Sequence, residues 1–131
     1  MKSRDYDDDT FWDQVNSRAP TFLGFWTHTC APCKVMAPIF ERLSKRYRNR
    51  IEFVGVNTYD RPDMAKKFGV KSTPTFLLVQ NGKPLRRFQG TFPEKILFEH
   101  LAPYAPEAIP ETESERPSLL ARFAGAIRRQ S

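Results

Sequence analysis

Cysteine and glycine are scarce in this sequence, and long apolar runs are absent. Its 131 residues include only two cysteines, Cys30 and Cys33, and six glycines. A small secreted domain held by disulfides would carry more cysteines at wider spacings, so that class is excluded. The first nine residues are polar and acidic, and no run approaches the roughly 18 apolar residues of a membrane span. We therefore expect neither a secretory signal nor a transmembrane segment, and a cytoplasmic location.

Apolar and aromatic residues are plentiful. Hydrophobic residues make up 40% of the chain and aromatic residues 13%, with eleven phenylalanines. That composition supplies enough apolar surface for a buried core, and the length suits one domain.

The charge is positive and unevenly spread. Residues 11–102 hold 15 Lys or Arg against 7 Asp or Glu, a surplus of +8 within a chain of net charge +6. Five of the cations cluster at the end of one predicted helix: Arg42, Lys45, Arg46, Arg48 and Arg50. Because no aromatic residues suited to stacking on bases alternate with them, we interpret the surplus as a solvated basic surface and expect no nucleic-acid partner.

Hydrophobic periodicity predicts the element order α-β-α-β-α-β-β-α. The predicted helices are Thr10–Arg18 with Thr10 as its N-cap, Cys33–Tyr47, Pro62–Phe68 and Pro93–Ala102. The predicted strands are Thr21–Trp26, Ile51–Val56, Thr75–Val79 and Leu85–Phe88. Asn81 and Gly82 supply a hairpin turn between the last two strands. This order indicates an α/β fold with a mixed central sheet and helices on both of its faces.

Two helices have apolar faces that predict which side they bury. The expected buried residues of the second helix are Val35, Met36, Ile39, Phe40, Leu43 and Tyr47. The last helix is expected to turn Ile96, Leu97 and Leu101 inward.

The composition changes near residue 104, which divides the chain into three predicted parts. Residues 1–104 form the domain, and residues 105–117 form a linker rich in Pro and Glu. Residues 118–131 form either a short amphipathic helix or a disordered tail. A basic amphipathic tail is able to touch an anionic membrane or a partner groove, and that alternative stays open.

The pair Cys30 and Cys33 is the chemical centre of the sequence. A sulfur at a helix N-terminus faces unpaired N–H groups and the positive end of the helix dipole, and both stabilise a thiolate. The spacing predicts that Cys30 attacks a disulfide and that Cys33 resolves the mixed disulfide. Pro32 fits the first helical turn, where no N–H is needed.

Two structural roles for the pair are disfavoured. A structural zinc site needs four ligands, and His28 and His100 are the only histidines available to complete one. A disulfide closing so short a loop constrains the unfolded chain little, so a mere staple is also disfavoured.

From residue 10 to residue 104 the chain resembles the thioredoxin family. The matching motifs are Phe25-Trp26, Cys30-Ala31-Pro32-Cys33-Lys34, Ala37-Pro38, Thr73-Pro74-Thr75, Asn81-Gly82 and Gly90. The resemblance implies a thioredoxin fold and a cis Thr73–Pro74 bond beside the dithiol, with Pro32, Thr73 and Pro74 shaping the site. It also implies a docking groove for client proteins lined by Thr29, Ala31, Pro32, Thr73, Pro74, Gly90 and Thr91. No bound cofactor is expected, and a separate thioredoxin-reductase-like donor would recycle the dithiol.

The chain departs from the family pattern at four positions. Thr29 and Ala31 replace the usual Trp and Gly around the first cysteine. Gly24 and Gly55 stand where members of the family carry a buried Asp and a Lys, and the Asp assists deprotonation of the second cysteine. We therefore expect resolution to be slower here or to use water or another base. His28 is a candidate replacement, but an exposed loop histidine is more often a bystander.

We predict a thiol–disulfide oxidoreductase that reduces protein disulfides. The alternative is an interaction or redox-sensing module of the same fold with a restricted partner and little reductase activity. A dithiol oxidase or isomerase is disfavoured because no secretory signal is expected.

Overall fold

The computed structural model describes residues 8–105, with side chains from residue 10 onward. The helices are α1 (Asp8–Val15), α2 (Ala31–Arg46), α3 (Pro62–Lys67) and α4 (Glu94–Leu101), followed by a 3₁₀ turn at Ala102–Tyr104. The strands are β1 (Thr21–Trp26), β2 (Glu52–Asn57), β3 (Thr75–Gln80) and β4 (Lys83–Gln89). The predicted element order is confirmed. The predicted linker, apart from Ala105, and the predicted tail lie outside the described residues.

The four strands form one mixed sheet in the order β2-β1-β3-β4. β1 runs parallel to β2 because α2 carries the chain back between them, and β3 runs antiparallel to both β1 and β4. Asn81 (φ 54°) and Gly82 (φ 77°) both have positive φ, as a tight hairpin turn requires. This arrangement places the carboxyl ends of β1 and β2 side by side, with Trp26 opposite Asn57.

Each face of the sheet is covered by a pair of helices. Phe22 points into a core shared with α2 and α4, and its neighbour Leu23 points into a second core shared with α1 and α3. Both residues are fully buried. The apolar run of β1 therefore reflects burial on both sides, and the predicted α/β fold with helices on both faces is confirmed.

The structure corrects several details of the predicted elements, three of which concern single residues. α1 begins at Asp8, so Thr10 lies inside the helix and is not its N-cap. Val35 is 59% exposed. The buried residues of α2 are three and four positions apart, and Val35 lies one position before Met36, so its side chain points to a different side of the helix. Ile96 is also exposed, since α4 buries Leu97 and Leu101.

A charged contact joins α2 to α4. Arg42 Nε donates to Glu94 Oε1 at 2.7 Å, and Arg46 Nη1 donates to Glu94 Oε2 at 3.1 Å. The hydrogen bond from Arg42 is the main reason that the pKa of Glu94 is lowered. A lowered carboxyl pKa means that the contact stabilises the fold above the ordinary pKa of Glu and loses this effect as the pH falls.

We expect Glu94→Gln to lower the free energy of unfolding by about 0.5 kcal/mol at neutral pH, because the contact is largely solvent-exposed. The difference from the parent chain should shrink as the pH falls toward 3, because the contact is lost only as Glu94 becomes protonated in the folded chain, below the ordinary pKa of Glu. Urea unfolding at both pH values measures it. An equal loss at both pH values would show that the effect comes from packing and not from charge.

Candidate functional site

Cys30 and Cys33 lie together where α2 begins. They are joined as a disulfide, with their Cα atoms 5.2 Å apart. Cys30 is the N-cap of α2 in an extended conformation, and Pro32 follows in the first turn. Cys30 is 9% exposed and Cys33 3%, so both residues are buried and Cys30, nearer the helix start, is the more accessible of the two.

The first turn of α2 directs backbone N–H groups at Cys30. The N–H of Cys33 donates to Cys30 Sγ at 3.2 Å. The helix behind it has 16 residues, and its dipole places positive charge at this end. After reduction of the disulfide, both features favour a thiolate on Cys30, which is the nucleophilic form of the side chain.

The loop after β4, residues 90–93, lies against the start of β3 and against α2. The Thr73–Pro74 bond is cis, as the resemblance implied. Gly90, with φ 91°, donates its N–H to the carbonyl of Pro74 at 2.9 Å. The N–H of Phe92 donates to Met36 Sδ at 3.4 Å. Met36 lies one turn of α2 beyond Cys33. Gly90 and Pro74, two of the predicted groove residues, are thereby brought together.

The predicted groove residues differ in exposure. Four of them are exposed and available to a docked chain: Thr29, Ala31, Pro32 and Thr91. Thr73 is half-buried and Pro74 is buried. Their roles in binding a client stay predictions.

His28 is held in one orientation by Asn57. The N–H of Tyr59 donates to Asn57 Oδ1 at 2.9 Å, which leaves Asn57 Nδ2 facing His28 Nε2 at 3.0 Å. Because an amide nitrogen only donates, His28 Nε2 accepts, and the neutral ring carries its proton on Nδ1. The ring of Trp26 meets the His28 ring edge-on, with centroids 5.1 Å apart.

We expect His28→Ala to change the rate of attack by the dithiol by less than about tenfold, because its acceptor nitrogen is already occupied. Stopped-flow kinetics with a small aromatic disulfide measures this rate, and thermal unfolding checks that the variant remains folded. A larger loss at unchanged stability would make His28 part of the catalytic machinery.

Asn57 and Met36 contact residues of the site but were not predicted to belong to it. Asn57 carries a recognisable signal, since it ends β2 directly beside the end of β1, where side chains from parallel strands meet. Met36 gave no such signal, because its apolar side chain fits the buried helical face equally well.

The described residues contain no group of three or more His, Cys, Asp or Glu side chains placed to hold a metal ion. In the same part of the chain, none of the helices combines the length and apolarity needed to cross a membrane.

A family model described as Thioredoxin matches residues 2–103. The chain belongs to the thioredoxin family. A chloroplastic M-type thioredoxin of Pisum sativum is 35% identical over 98 residues, which cover 73% of this chain and 57% of the pea protein. A bifunctional thioredoxin reductase/thioredoxin of Mycobacterium leprae is 33% identical over 96 residues, which cover 73% of this chain and 21% of that protein.

Among solved structures, the chain resembles the crystal structure of thioredoxin from Malassezia sympodialis, an allergen named Mala s 13. The TM-score is 0.65 at 26% identity, over 70% of this chain and 80% of the other. The curated relatives above are longer proteins, of which this chain spans little more than half or less.

The two glycines that depart from the thioredoxin pattern are neighbours in the sheet. Gly24 on β1 is directly opposite Gly55 on β2. Neither residue has a side chain able to take or give a proton. The acid and the amine of the family pattern are therefore both absent from these two neighbouring positions.

Proposed function

We propose that this chain reduces protein disulfides by thiol–disulfide exchange. The Cys30 thiolate attacks one sulfur of a client disulfide, which forms a mixed disulfide and releases the other client sulfur as a thiolate. Cys33, as a thiolate, then attacks Cys30 Sγ. The Cys30–Cys33 disulfide forms, the second client thiolate leaves, and two electrons have passed from the chain to the client.

The observation that carries this proposal is the bonded pair at the start of α2. Cys30 is the more accessible residue of the pair and its Sγ receives a backbone N–H, whereas Cys33 is more deeply buried and lies within bonding reach of it. The first feature suits an attacking thiolate. The second suits a resolving group that is protected from outside oxidants.

We place the client beside Cys30, against Pro74, Gly90 and Thr91. The hydrogen bond from Gly90 to Pro74 supports this placement because it holds the loop after β4 against the loop before β3. Thr29 offers no aromatic ring beside Cys30, so this groove is more open than one with a tryptophan there.

Reduction of insulin in the presence of dithiothreitol tests the proposed function. The parent chain is expected to speed the precipitation of insulin chains well above the rate with dithiothreitol alone, and Cys30→Ser is expected to match dithiothreitol alone. If the parent chain adds no Cys30-dependent turnover, the alternative holds and the chain is an interaction or redox-sensing module.

A separate reductase is proposed to restore the dithiol. The Mycobacterium leprae relative supports this pairing, since its name joins a thioredoxin reductase to a thioredoxin in one protein. Oxidation of NADPH by a purified thioredoxin reductase, with this chain as the electron acceptor and Cys33→Ser as the control, measures the coupling.

We propose the cytoplasm as the working compartment, because a reductant needs surroundings that keep thiols reduced. The pea relative carries the word chloroplastic in its name, and a plastid stroma is the competing location. Cell fractionation with an antibody to the chain distinguishes the two.

A further inference from the structure

The proposed exchange requires Cys33 to lose a proton before it attacks. Cys33 attacks as a thiolate, so its thiol must first lose a proton, and Cys33 is only 3% exposed. Identifying the group that takes this proton rests on the proposed function, since a chain that performs no exchange has no resolving step.

A cavity of about 140 Å³ lies against Cys33. Its lining residues come from the end of β1 with the loop after it, and from the first turns of α2. They are Trp26, Thr27, His28, Cys33, Lys34 and Ala37. None of them carries a carboxylate. The volume is sufficient for several water molecules or one small anion.

Apart from Cys33, the wall has two ionisable side chains, His28 and Lys34, and both are poorly suited to accept the proton. The lone pair of His28 Nε2 already receives the hydrogen bond from Asn57 Nδ2, and a proton added there would set two N–H donors against each other. The other ring nitrogen carries the hydrogen of the neutral ring. Lys34 has an ammonium group, which donates hydrogen bonds and accepts none.

Lys34 instead gives the cavity a positive charge. The residue follows Cys33 directly, is exposed to solvent and lines the same cavity. A cation beside a small water-accessible cavity raises the local concentration of anions. The cavity therefore has Cys33 in its wall, room for a small molecule and a positive charge that attracts anionic bases.

We propose that Cys33 gives its proton to an external anionic oxygen base that enters this cavity and is held there by Lys34. The base, hydroxide or a small oxyanion such as the phosphate dianion, takes the proton from Cys33 Sγ. The electron pair left on sulfur forms the bond to Cys30 Sγ. The bond between Cys30 and the client sulfur breaks, and the client leaves as a thiolate.

The reaction of the reduced chain with dithionitrobenzoate measures the resolving step directly. Attack by Cys30 releases one thionitrobenzoate in a phase whose rate depends on reagent concentration. Resolution by Cys33 releases the second in a phase whose rate does not. We expect the second rate to rise roughly twofold or more as phosphate is increased at fixed pH and ionic strength. Imidazole, an uncharged base, is expected to act more weakly.

Matched variants identify the role of each side chain. Lys34→Gln is expected to reduce the response to phosphate to the level of imidazole, whereas Lys83→Gln, an exposed lysine on β4, should leave it unchanged. His28→Gln should retain the dependence on phosphate that the parent chain shows. If that dependence appears only after His28 is replaced, His28 is the internal base and the inference is wrong.

The remaining outcomes separate this inference from the proposed function. A second phase that is present and requires Cys33, but ignores both phosphate and imidazole, overturns the external base. A phosphate response that survives Lys34→Gln unchanged overturns the role of Lys34. A reaction with no Cys33-dependent second phase overturns the proposed function itself.

Discussion

Replacing Cys33 with serine is expected to stop turnover and to leave the chain covalently joined to its client through Cys30. The backbone N–H of residue 33 would still donate to Cys30 Sγ, so the first attack should proceed. The second attack would be lost because no internal thiol remains. Non-reducing electrophoresis and mass spectrometry of the trapped complex measure the outcome, and the same complex isolated from a cell extract identifies the client.

The expected loss in the resolving rate is large. An intramolecular thiol held in position acts at an effective concentration far above the millimolar concentration of an added thiol, so we expect a loss of at least roughly 10³-fold. Cys30→Ser serves as the control, since it should form no mixed disulfide at all. Equal trapping by the two variants would show that the proposed order of attack is wrong.

Replacing Phe22 with alanine is expected to remove much of the stability of the domain. Phe22 is fully buried on β1, and its ring centroid lies 5.3–6.1 Å from those of Phe40, Phe53, Phe76 and Phe88. Truncating such a residue leaves a cavity and costs about 3–5 kcal/mol. That loss is a large part of the roughly 5–15 kcal/mol that holds a typical domain together. The shift of the urea midpoint measures it.

A truncation at an exposed apolar residue provides the comparison. Leu85 on β4 is 38% exposed, so Leu85→Ala removes less buried surface and should cost less than about 1 kcal/mol. If Phe22→Ala and Leu85→Ala shifted the midpoint equally, the buried ring cluster would not be the main source of stability.

The predicted strands agree with the structure more closely than the predicted helix faces do. The limits of β1 were predicted without error, because Pro20 and the loop before Cys30 bracket a continuous apolar run. The face of α2 was predicted less accurately, since Val35 is adjacent to Met36 but is largely exposed, and Ile39 is only half-buried. Apolar character alone does not tell which of two neighbouring helical residues faces the core.

In the candidate site, too, the sequence identified residues in short motifs but not the contacts between residues far apart in the chain. Sequence motifs identified Cys30, Cys33, Pro74 and Gly90, because each belongs to a short segment with a definite chemical or conformational signature. The contact between His28 and Asn57 joins residues 29 positions apart, one in the loop after β1 and the other at the end of β2. Its effect on the tautomer of His28 depends on a third residue, Tyr59, whose N–H orients the amide.

By itself, the sequence determined the element order, the layered α/β architecture and the dithiol at a helix start. These features follow from local patterns: hydrophobic period, turn residues and the spacing of two cysteines. Only the tertiary structure decided what surrounds Cys33, namely a cavity without a carboxylate, a lysine at its wall and a histidine whose acceptor atom is occupied. That outcome depends on how separate segments pack, because hydrogen-bond partners and cavity walls are set by distances between residues far apart in the chain.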